Sequence, residues 1–170
     1  MKKILIFSIL CSIILCSCQK KGIDAFQGDY SFKTSGTVTV QRQASILDTV
    51  THAAYTFNLP NEIGQLNIST LDKHNDSVLV VLNYLNGEVI VTQGYCQGQA
   101  ITLKSFQRNA LNLNIDAQTS VKSPIKVRAE GTIYDDNTIV FDMTYRGKVS
   151  IGMLTYKVDS DDVRMVAYRN

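Results

Sequence analysis

Val78-Leu79-Val80-Val81-Leu82-Asn83-Tyr84-Leu85, then Asn86-Gly87, then Glu88-Val89-Ile90-Val91-Thr92, is the stretch that decides how this chain folds. It holds two β-branched, apolar runs with Asn-Gly between them. Asn-Gly is the strongest short hairpin signal, because both central residues of a type I′ turn need positive φ. The first run is apolar on both faces. That predicts a strand covered on both sides, or one whose outer face is protected.

Working outward, the same alternation recurs with turn residues between the runs. Downstream, Gln99 to Phe106 and Ala110 to Asp116 read as the next pair, with Leu111, Leu113 and Ile115 on one face. Ile125 to Tyr134 sets Ile125, Val127, Ala129 and Ile133 against Lys126, Arg128 and Glu130, a period of two. Asp135-Asp136-Asn137 turns the chain. Thr138 to Arg146 follows, then Lys148 to Val158 after Gly147, a turn at Asp159 to Asp162, and a closing strand from Val163 to Tyr168. Upstream, Leu66 to Leu71 and Ala54 to Leu59 are strands, and Asp72 to Asp76 is a polar turn. Tyr30 to Gln41 is two strand pieces or one bent strand around Ser35-Gly36, since glycine inside a strand marks a bulge. Arg42 to Val50 reads as a loop or one helical turn.

The expectation is an all-β domain of roughly eight to ten antiparallel strands in up-and-down order. Such a sheet must close into a barrel or fold into a two-sheet sandwich to hide its edges. Alternating aromatics (Tyr55, Phe57, Tyr84, Phe106, Phe141, Tyr145, Tyr156) are first of all core; in a barrel with a cavity some would line it.

The first residues follow a different logic. Lys2 and Lys3 precede a run of about a dozen apolar or small residues, Ile4 to Leu15, which is too short to span a bilayer, since spanning takes about 20. A basic end, an apolar run and small residues at the exit describe a secretory signal. Leu15-Cys16-Ser17-Cys18 then resembles the lipobox of bacterial lipoproteins. The resemblance implies cleavage before Cys18, a diacylglycerol on its sulfur and an often acylated amine. Cys16 departs from the commoner Gly, Ala or Ser, and cleavage before Cys16 is hindered by bulky Ile14 and Leu15. The organisation read from this is a signal peptide over 1–17, a lipidated tether over 18–27 and one β domain over 28–170. Two or three acyl chains anchor stably, at about 0.8 kcal/mol per buried methylene. By the sorting rule of many Gram-negative lipoproteins, Gln19 rather than Asp favours the outer membrane. The basic Gln19-Lys20-Lys21-Gly22 favours a periplasm-facing position over the cell surface.

Composition bounds the remaining possibilities. Without residues 1–17, 153 of the 170 residues remain, enough for one domain with a sizeable core. Losing Lys2 and Lys3 takes the 17 basic residues to 15, equal to the 15 acidic ones. A near-neutral chain without a dense Lys/Arg cluster argues against nucleic acid as a partner. Cys11 and Cys16 leave with the signal and Cys18 is acylated, so Cys96 has no disulfide partner; it reads as a small buried residue.

Candidate chemistry is sparse. His52 and His74 lack metal-ligand spacing and read as surface residues. The acidic runs Asp159-x-Asp161-Asp162 and Asp135-Asp136 could offer oxygens to calcium, but lack the glycine and further acids of the usual loops, so Asx turns are the simpler account. A glycosidase pair would need a fixed separation that the sequence does not supply. Asp48-Thr49-Val50 and Asp76-Ser77-Val78 match the Asp-Ser/Thr-apolar acceptor of periplasmic O-glycosylation, making Thr49 and Ser77 candidate sites. No phosphate loop, nucleophile elbow or zinc motif occurs.

The layout over residues 28–169 also resembles the lipocalin-like, or calycin-like, barrels. They carry Gly-x-Trp at the first strand and an Arg on or after the last strand packed across it. Gly28-Asp29-Tyr30 occupies the first place, with Tyr for Trp, and Arg164 or Arg169 the second. The resemblance implies a cavity for an apolar ligand. The functional expectation is therefore a non-catalytic, lipid-anchored envelope protein without cofactor that binds a small apolar or amphipathic ligand. The alternative is a structural or protein-interaction subunit, with Val78 to Leu85 at a contact; an enzyme with an unrecognised site is the third reading.

Overall fold

The computed structural model describes residues 22–43, 53–109 and 111–170. Residues 1–21, including the signal stretch and Cys18, lie outside that range, as do Thr49 and His52. A one-turn helix, α1 (Ile23–Phe26), precedes twelve strands among the described residues: β1 (Gly28–Ser35), β2 (Thr37–Arg42), β3 (Ala54–Asn58), β4 (Glu62–Asp72), β5 (Ser77–Tyr84), β6 (Val89–Gln97), β7 (Ala100–Arg108), β8 (Asn112–Asn114), β9 (Ser120–Lys122), β10 (Ile125–Asp135), β11 (Thr138–Ile151) and β12 (Leu154–Arg169).

Eight of these close on themselves. The order β1-β4-β5-β6-β7-β10-β11-β12 returns to β1, every pair is antiparallel, and the result is an up-and-down barrel. Closure removes the sheet edges that a flat meander would expose. β2 and β3 extend the wall as a hairpin on the first half of β12, and β8–β9 form a separate small hairpin.

Gly36 explains how one strand becomes two. β1 pairs with the end of β12 and β2 with its beginning. At the break, a Cβ on Gly36 would stand 2.6 Å from the Val163 Cα and 2.8 Å from the Asp162 carbonyl, and φ is +147°. Only glycine lets the chain cross β12 so closely.

Alternation points one face of each strand inward. Tyr30, Phe32, Leu66, Ile68, Val80, Leu82, Phe141, Met143 and Met165 are all buried there. Three inward glycines, Gly64, Gly94 and Gly131, make room for their neighbours. A Cβ on Gly131 would meet the Phe141 ring at 2.6 Å and Ile101 at 2.7 Å, and one on Gly94 would meet Leu103 and Val78 at 3.0 Å. The middle of the barrel is therefore packed with side chains at these levels.

One end is plugged by α1, whose Ile23 and Phe26 are buried. The Tyr30 hydroxyl donates to the Phe26 carbonyl at 2.8 Å. Arg169 donates from Nη2 to the Ala25 carbonyl at 2.8 Å and to the Tyr30 hydroxyl at 2.7 Å, and it lies over the Tyr30 ring at 5.1 Å. Of the two closing-arginine candidates, Arg169 thus packs across the first strand. Arg164 faces solvent and pairs with Asp142. Arg169→Ala is expected to destabilise the domain by about 2–3 kcal/mol, the scale of charge-assisted hydrogen bonds lost at a buried plug. Urea unfolding measures this, and faster amide exchange at Gln27, whose N–H closes α1 onto Ile23, should accompany it.

Several boundaries differ from the sequence expectation. The Asn86-Gly87 hairpin is present, but only Gly87 has positive φ, +88°. Its N–H donates to the Tyr84 carbonyl, and Tyr84 N–H donates to Glu88. This is the three-residue loop with glycine in the left-handed position, not a two-residue type I′ turn. β4 starts four residues earlier than expected, because pairing with β1 from Thr34 onward outweighs the weak strand preference of Gly64. Asp159 to Asp162 is no turn. β12 runs through it with a bulge that places Ser160 opposite Tyr145 and Val163 opposite Met143. The chain reverses instead at Gly152-Met153, and Gly147 lies within β11. Finally, of the expected strand Ala110 to Asp116, Ala110 lies outside the described residues and Leu111 to Asp116 supplies no barrel strand. Leu111 and Leu113 are buried, but β8 pairs only with β9.

Candidate functional site: an open seam and a buried ion cluster

Seven of the eight barrel seams carry long ladders; the seam between β6 and β7 does not. Its register runs only from Gly94↔Leu103 to Gln97↔Ala100. The cause lies in β7, where Leu103 and Phe106 both point inward and Lys104 and Ser105 between them are both exposed. That extra residue is a β-bulge, visible also as a register shift against β10 between Val127 and Ala129. A bulge bends its strand and interrupts the ladder. Side chains take over where the ladder stops. Thr92 Oγ1 donates to the Lys104 carbonyl at 2.9 Å, and the Glu88 carboxylate accepts from the Asn109 N–H.

Between these ties lies a groove of about 500 Å³. Val89, Ile90, Val91 and Phe106 supply its apolar surface; Gln93, Lys104, Ser105 and Gln107 line its polar margin. Lys104 is the one cation among these lining residues. Thr92→Val is expected to destabilise by about 1 kcal/mol, the net worth of one hydrogen bond. It should also speed amide exchange locally over Lys104 to Gln107.

The groove ends at a buried ion cluster. Arg108 is fully buried. It donates from Nε and Nη2 to Glu88 Oε2 at 3.0 and 2.7 Å, from Nη2 to Glu62 Oε1 at 2.9 Å, and from Nη1 to Glu62 Oε2. Its guanidinium carbon sits 3.9 Å above the Tyr84 ring, a cation–π contact. Tyr84 in turn meets Phe32 edge-on at 5.0 Å. Burial by itself pulls the Arg108 pKa down, but the Glu62 hydrogen bonds and the nearby tyrosines and carboxylates raise it overall, so the guanidinium stays charged. Burial pushes the Tyr84 and Tyr145 phenols up although Arg108 opposes it. A second cleft, smaller at about 260 Å³ but more enclosed, lies on the far side of the cluster, lined by Pro60, Glu62, Ile63, Tyr84, Leu85 and Leu111 among others.

Sequence reading did not single out this cluster, although a signal existed. Arg108 shares the inward phase of Phe106, and Glu88 that of Ile90 and Thr92. Charges in the inward phase at two strand ends are a sign of buried pairing. That Glu62 completes the cluster is set by closure, which brings β4 to the same end.

The expected site residues are scattered. Ser77 is buried, its hydroxyl 3.4 Å from the Asp72 carbonyl. Cys96 is buried, and that burial, with the Asp76 carboxylate, pushes its thiol up to about 11; it is a poor nucleophile at neutral pH. His74 lies in the exposed β4–β5 turn, where its N–H donates to Asp72. Asp135 caps its own turn through the Asn137 N–H. No metal-holding group of His, Cys, Asp and Glu occurs among the described residues.

Asp162 instead ties the β1–β2 break to β12. It accepts from the Thr37 hydroxyl at 2.5 Å and from Ser160 Oγ at 2.9 Å. The Thr37 bond holds its carboxyl below the usual range, partly opposed by burial and aided by Ser160. Asp159 is held down by Lys157, again against burial, and by Arg146. Because both folded-state pKa values are lowered, their stabilisation is full above the unfolded value of about 4. It is lost as pH falls through the folded values. Acid unfolding of Asp162→Asn should therefore show a smaller loss of stability below about pH 4 than the parent chain.

The fold and the site define a class: a closed eight-stranded antiparallel β-barrel, lipocalin-like in layout, with extra hairpins. No family model matches the chain, and no curated protein matches it. Among solved structures it is similar to EF1p2_mFAP2b bound to DFHBI, at 10% identity, covering 86% of this chain and 95% of that one, with a TM-score of 0.40. It is also similar to a mutant of the vaccine antigen Transferrin Binding Protein B from Haemophilus parasuis Hp5, at 12% identity and a TM-score of 0.37. That match covers 89% of this chain but 29% of the other. Likeness at this level carries no argument about function.

Proposed function

We propose that this protein is a non-catalytic lipoprotein of the bacterial envelope that binds a small amphipathic ligand at the β6–β7 seam. The observation that carries the reading is the groove itself. It combines an apolar strip, a single lysine and an interrupted ladder in one open, otherwise polar groove. An alkyl chain would lie along Val89, Val91 and Phe106, and an anionic or hydrogen-bonding head would reach Lys104 and the polar margin. A binding role rather than a catalytic one is supported by the ion cluster, where both carboxylates are engaged by Arg108.

The lipobox-like Leu15-Cys16-Ser17-Cys18 supports anchoring at Cys18, in the outer membrane and facing the periplasm. Gly22 lies beside the β6–β7 turn, its N–H 3.4 Å from the Gly98 carbonyl. Four residues reach at most about 14 Å, so a lipid on Cys18 would hold the α1 end near the membrane and turn the Arg108 end away from it.

Titration of the full chain with 11-(dansylamino)undecanoic acid tests the ligand reading. Saturable fluorescence enhancement is expected, weakened at least tenfold in Ser105→Trp, where an indole fills the groove from an exposed position. Equal enhancement in both proteins would reject the seam as the site. Cys18→Ala should move the protein from the membrane to the soluble fraction; retention would reject the anchor. A second reading, an interaction subunit, is favoured by the outer wall over β4, β5 and β6, whose outward residues, among them Ile63, Asn67, Leu79, Val81 and Tyr95, carry no charge.

A further inference from the structure

The cleft on the far side of the ion cluster shares no lining residue with the β6–β7 groove. It opens at the barrel rim between the start of β4, the β5–β6 turn and the chain that enters β8. Two of its walls are tied together, because the Leu85 N–H donates to the Ile63 carbonyl at 3.0 Å. Three exposed carboxamides, Asn61, Asn86 and Asn112, stand around it. Asn86 Oδ1 accepts from the Glu88 N–H, which leaves its NH2 group for other partners. The Asn61 and Asn112 side chains make no hydrogen bond among the described residues. Ile63 and Leu85 add aliphatic surface, 47% and 74% exposed. Tyr84 also lines the cleft and is 4% exposed. Its hydroxyl is the one side-chain atom of this lining that is buried without a hydrogen-bond partner among the described residues. Burial keeps the proton on it, so it is a donor that lacks an acceptor. Buried polar groups are nearly always paired, and an exception calls for a partner from outside the chain.

We infer that this cleft binds a neutral pyranose sugar, its hydroxyls on the three amides and Tyr84 and its C–H face on Ile63 and Leu85. Charge excludes ionic ligands first. Glu62 is the sole charged residue of the lining, and both its oxygens accept from Arg108. Flat aromatic ligands come next. They are held by stacking on open rings, and the Tyr84 ring is already covered by the Arg108 guanidinium at 3.9 Å and met edge-on by Phe32. A saturated ring needs no such platform. Each hydroxyl of a sugar both donates and accepts, as a carboxamide does, whereas an alkyl chain would leave three amides unused. Size agrees with one ring. The cleft's volume of about 260 Å³ lies just under the roughly 300 Å³ at which pockets for drug-sized ligands begin. Binding here is independent of the ligand at the seam.

Saturation-transfer difference NMR on the full chain, in lauryldimethylamine oxide micelles that carry no sugar, tests it. The probes are the methyl glycosides of glucose, galactose, mannose and N-acetylglucosamine. Saturable ring-proton signals are expected for at least one. The combined Asn61→Leu, Asn112→Leu variant should raise its Kd at least about tenfold, the scale of two hydrogen bonds. Tyr84→Phe should raise the Kd severalfold while leaving the Tm of the free protein unchanged or higher, since the lost hydroxyl had no partner. A merely structural hydroxyl would give the reverse, a lower Tm at unchanged Kd. Ser105→Trp, which fills the β6–β7 groove, should bind the sugar as the parent does. No signal from any glycoside, an unchanged Kd in the amide variant, the reversed pattern in Tyr84→Phe, or loss of binding in Ser105→Trp would each overturn the inference.

Discussion

Arg108→Ala is expected to destabilise the domain by about 3–5 kcal/mol, the scale seen when one partner is removed from a buried ion pair. For a domain of this length that lowers Tm by on the order of 10 °C. The reason is the partners left behind. Glu62 and Glu88 have side chains only 15% and 7% exposed, and every Arg108 nitrogen donates to one or the other. Without the guanidinium, two carboxylates face each other in a poorly hydrated pocket, and the Tyr84 ring loses the cation above it. Arg108→Lys should be intermediate, since an ammonium keeps the charge but cannot reproduce the planar fork. The combined Arg108→Met, Glu62→Gln, Glu88→Gln variant should recover much of the loss, because it removes the charges together. Denaturant unfolding of the four proteins decides it: if Arg108→Ala stays within 1 kcal/mol of the parent, the cluster is not the structural tie described.

Gly64→Ala is expected to cost at least about 3 kcal/mol, at or above the upper end for overpacking. A Cβ there would overlap the Asn83 carbonyl of the neighbouring strand and stand 2.6 Å from Phe32 Cζ. A side chain can turn away; a carbonyl held between β4 and β5 cannot. Phe32→Leu should therefore rescue Gly64→Ala only in part, and the remainder measures the backbone clash. Since Phe32 packs on Tyr84 and Tyr84 lies under Arg108, the variant should also disturb the ion cluster. Gly98→Ala is the control. It has open space around its Cβ position but a φ of +62°, so it should lose only the conformational term, about 1 kcal/mol. Comparable losses at both positions would mean that close packing at Gly64 has been overread.

Much of the architecture was legible because it rests on local alternation. Val127, Ala129, Phe141, Met143 and Tyr145 point inward as their period of two requires. Gly36 breaks the first strand, and Tyr30 meets a closing arginine. The misreadings have different causes. Asp159 to Asp162 carries a turn composition, yet it continues a strand because Thr37 and Arg146 engage the Asp162 and Asp159 carboxylates from elsewhere in the chain; there partners distant in sequence outweighed local preference. Leu111 and Leu113 have strand periodicity, yet they belong to a small local hairpin outside the barrel wall, in which β8 pairs only with nearby β9.

The site was less legible than the fold, because its partners lie far apart in the chain. Arg108 could be placed inward from its phase with Phe106, but nothing in the linear chain says that Glu62, 46 residues away, would be its partner. The interrupted seam depends on one extra residue in β7, and composition does not distinguish Lys104-Ser105 from any other polar pair.

The sequence by itself determined an all-β, up-and-down domain, the phase of most of its strands and the lipobox-like stretch ending at Cys18, because side-chain alternation and short motifs are local properties. Tertiary structure alone decided that eight strands close, which arginine seals which end, where a ladder fails, and that one wall of the barrel carries no charge. Those outcomes depend on which strands become neighbours, and closure of the barrel is the step that settles it.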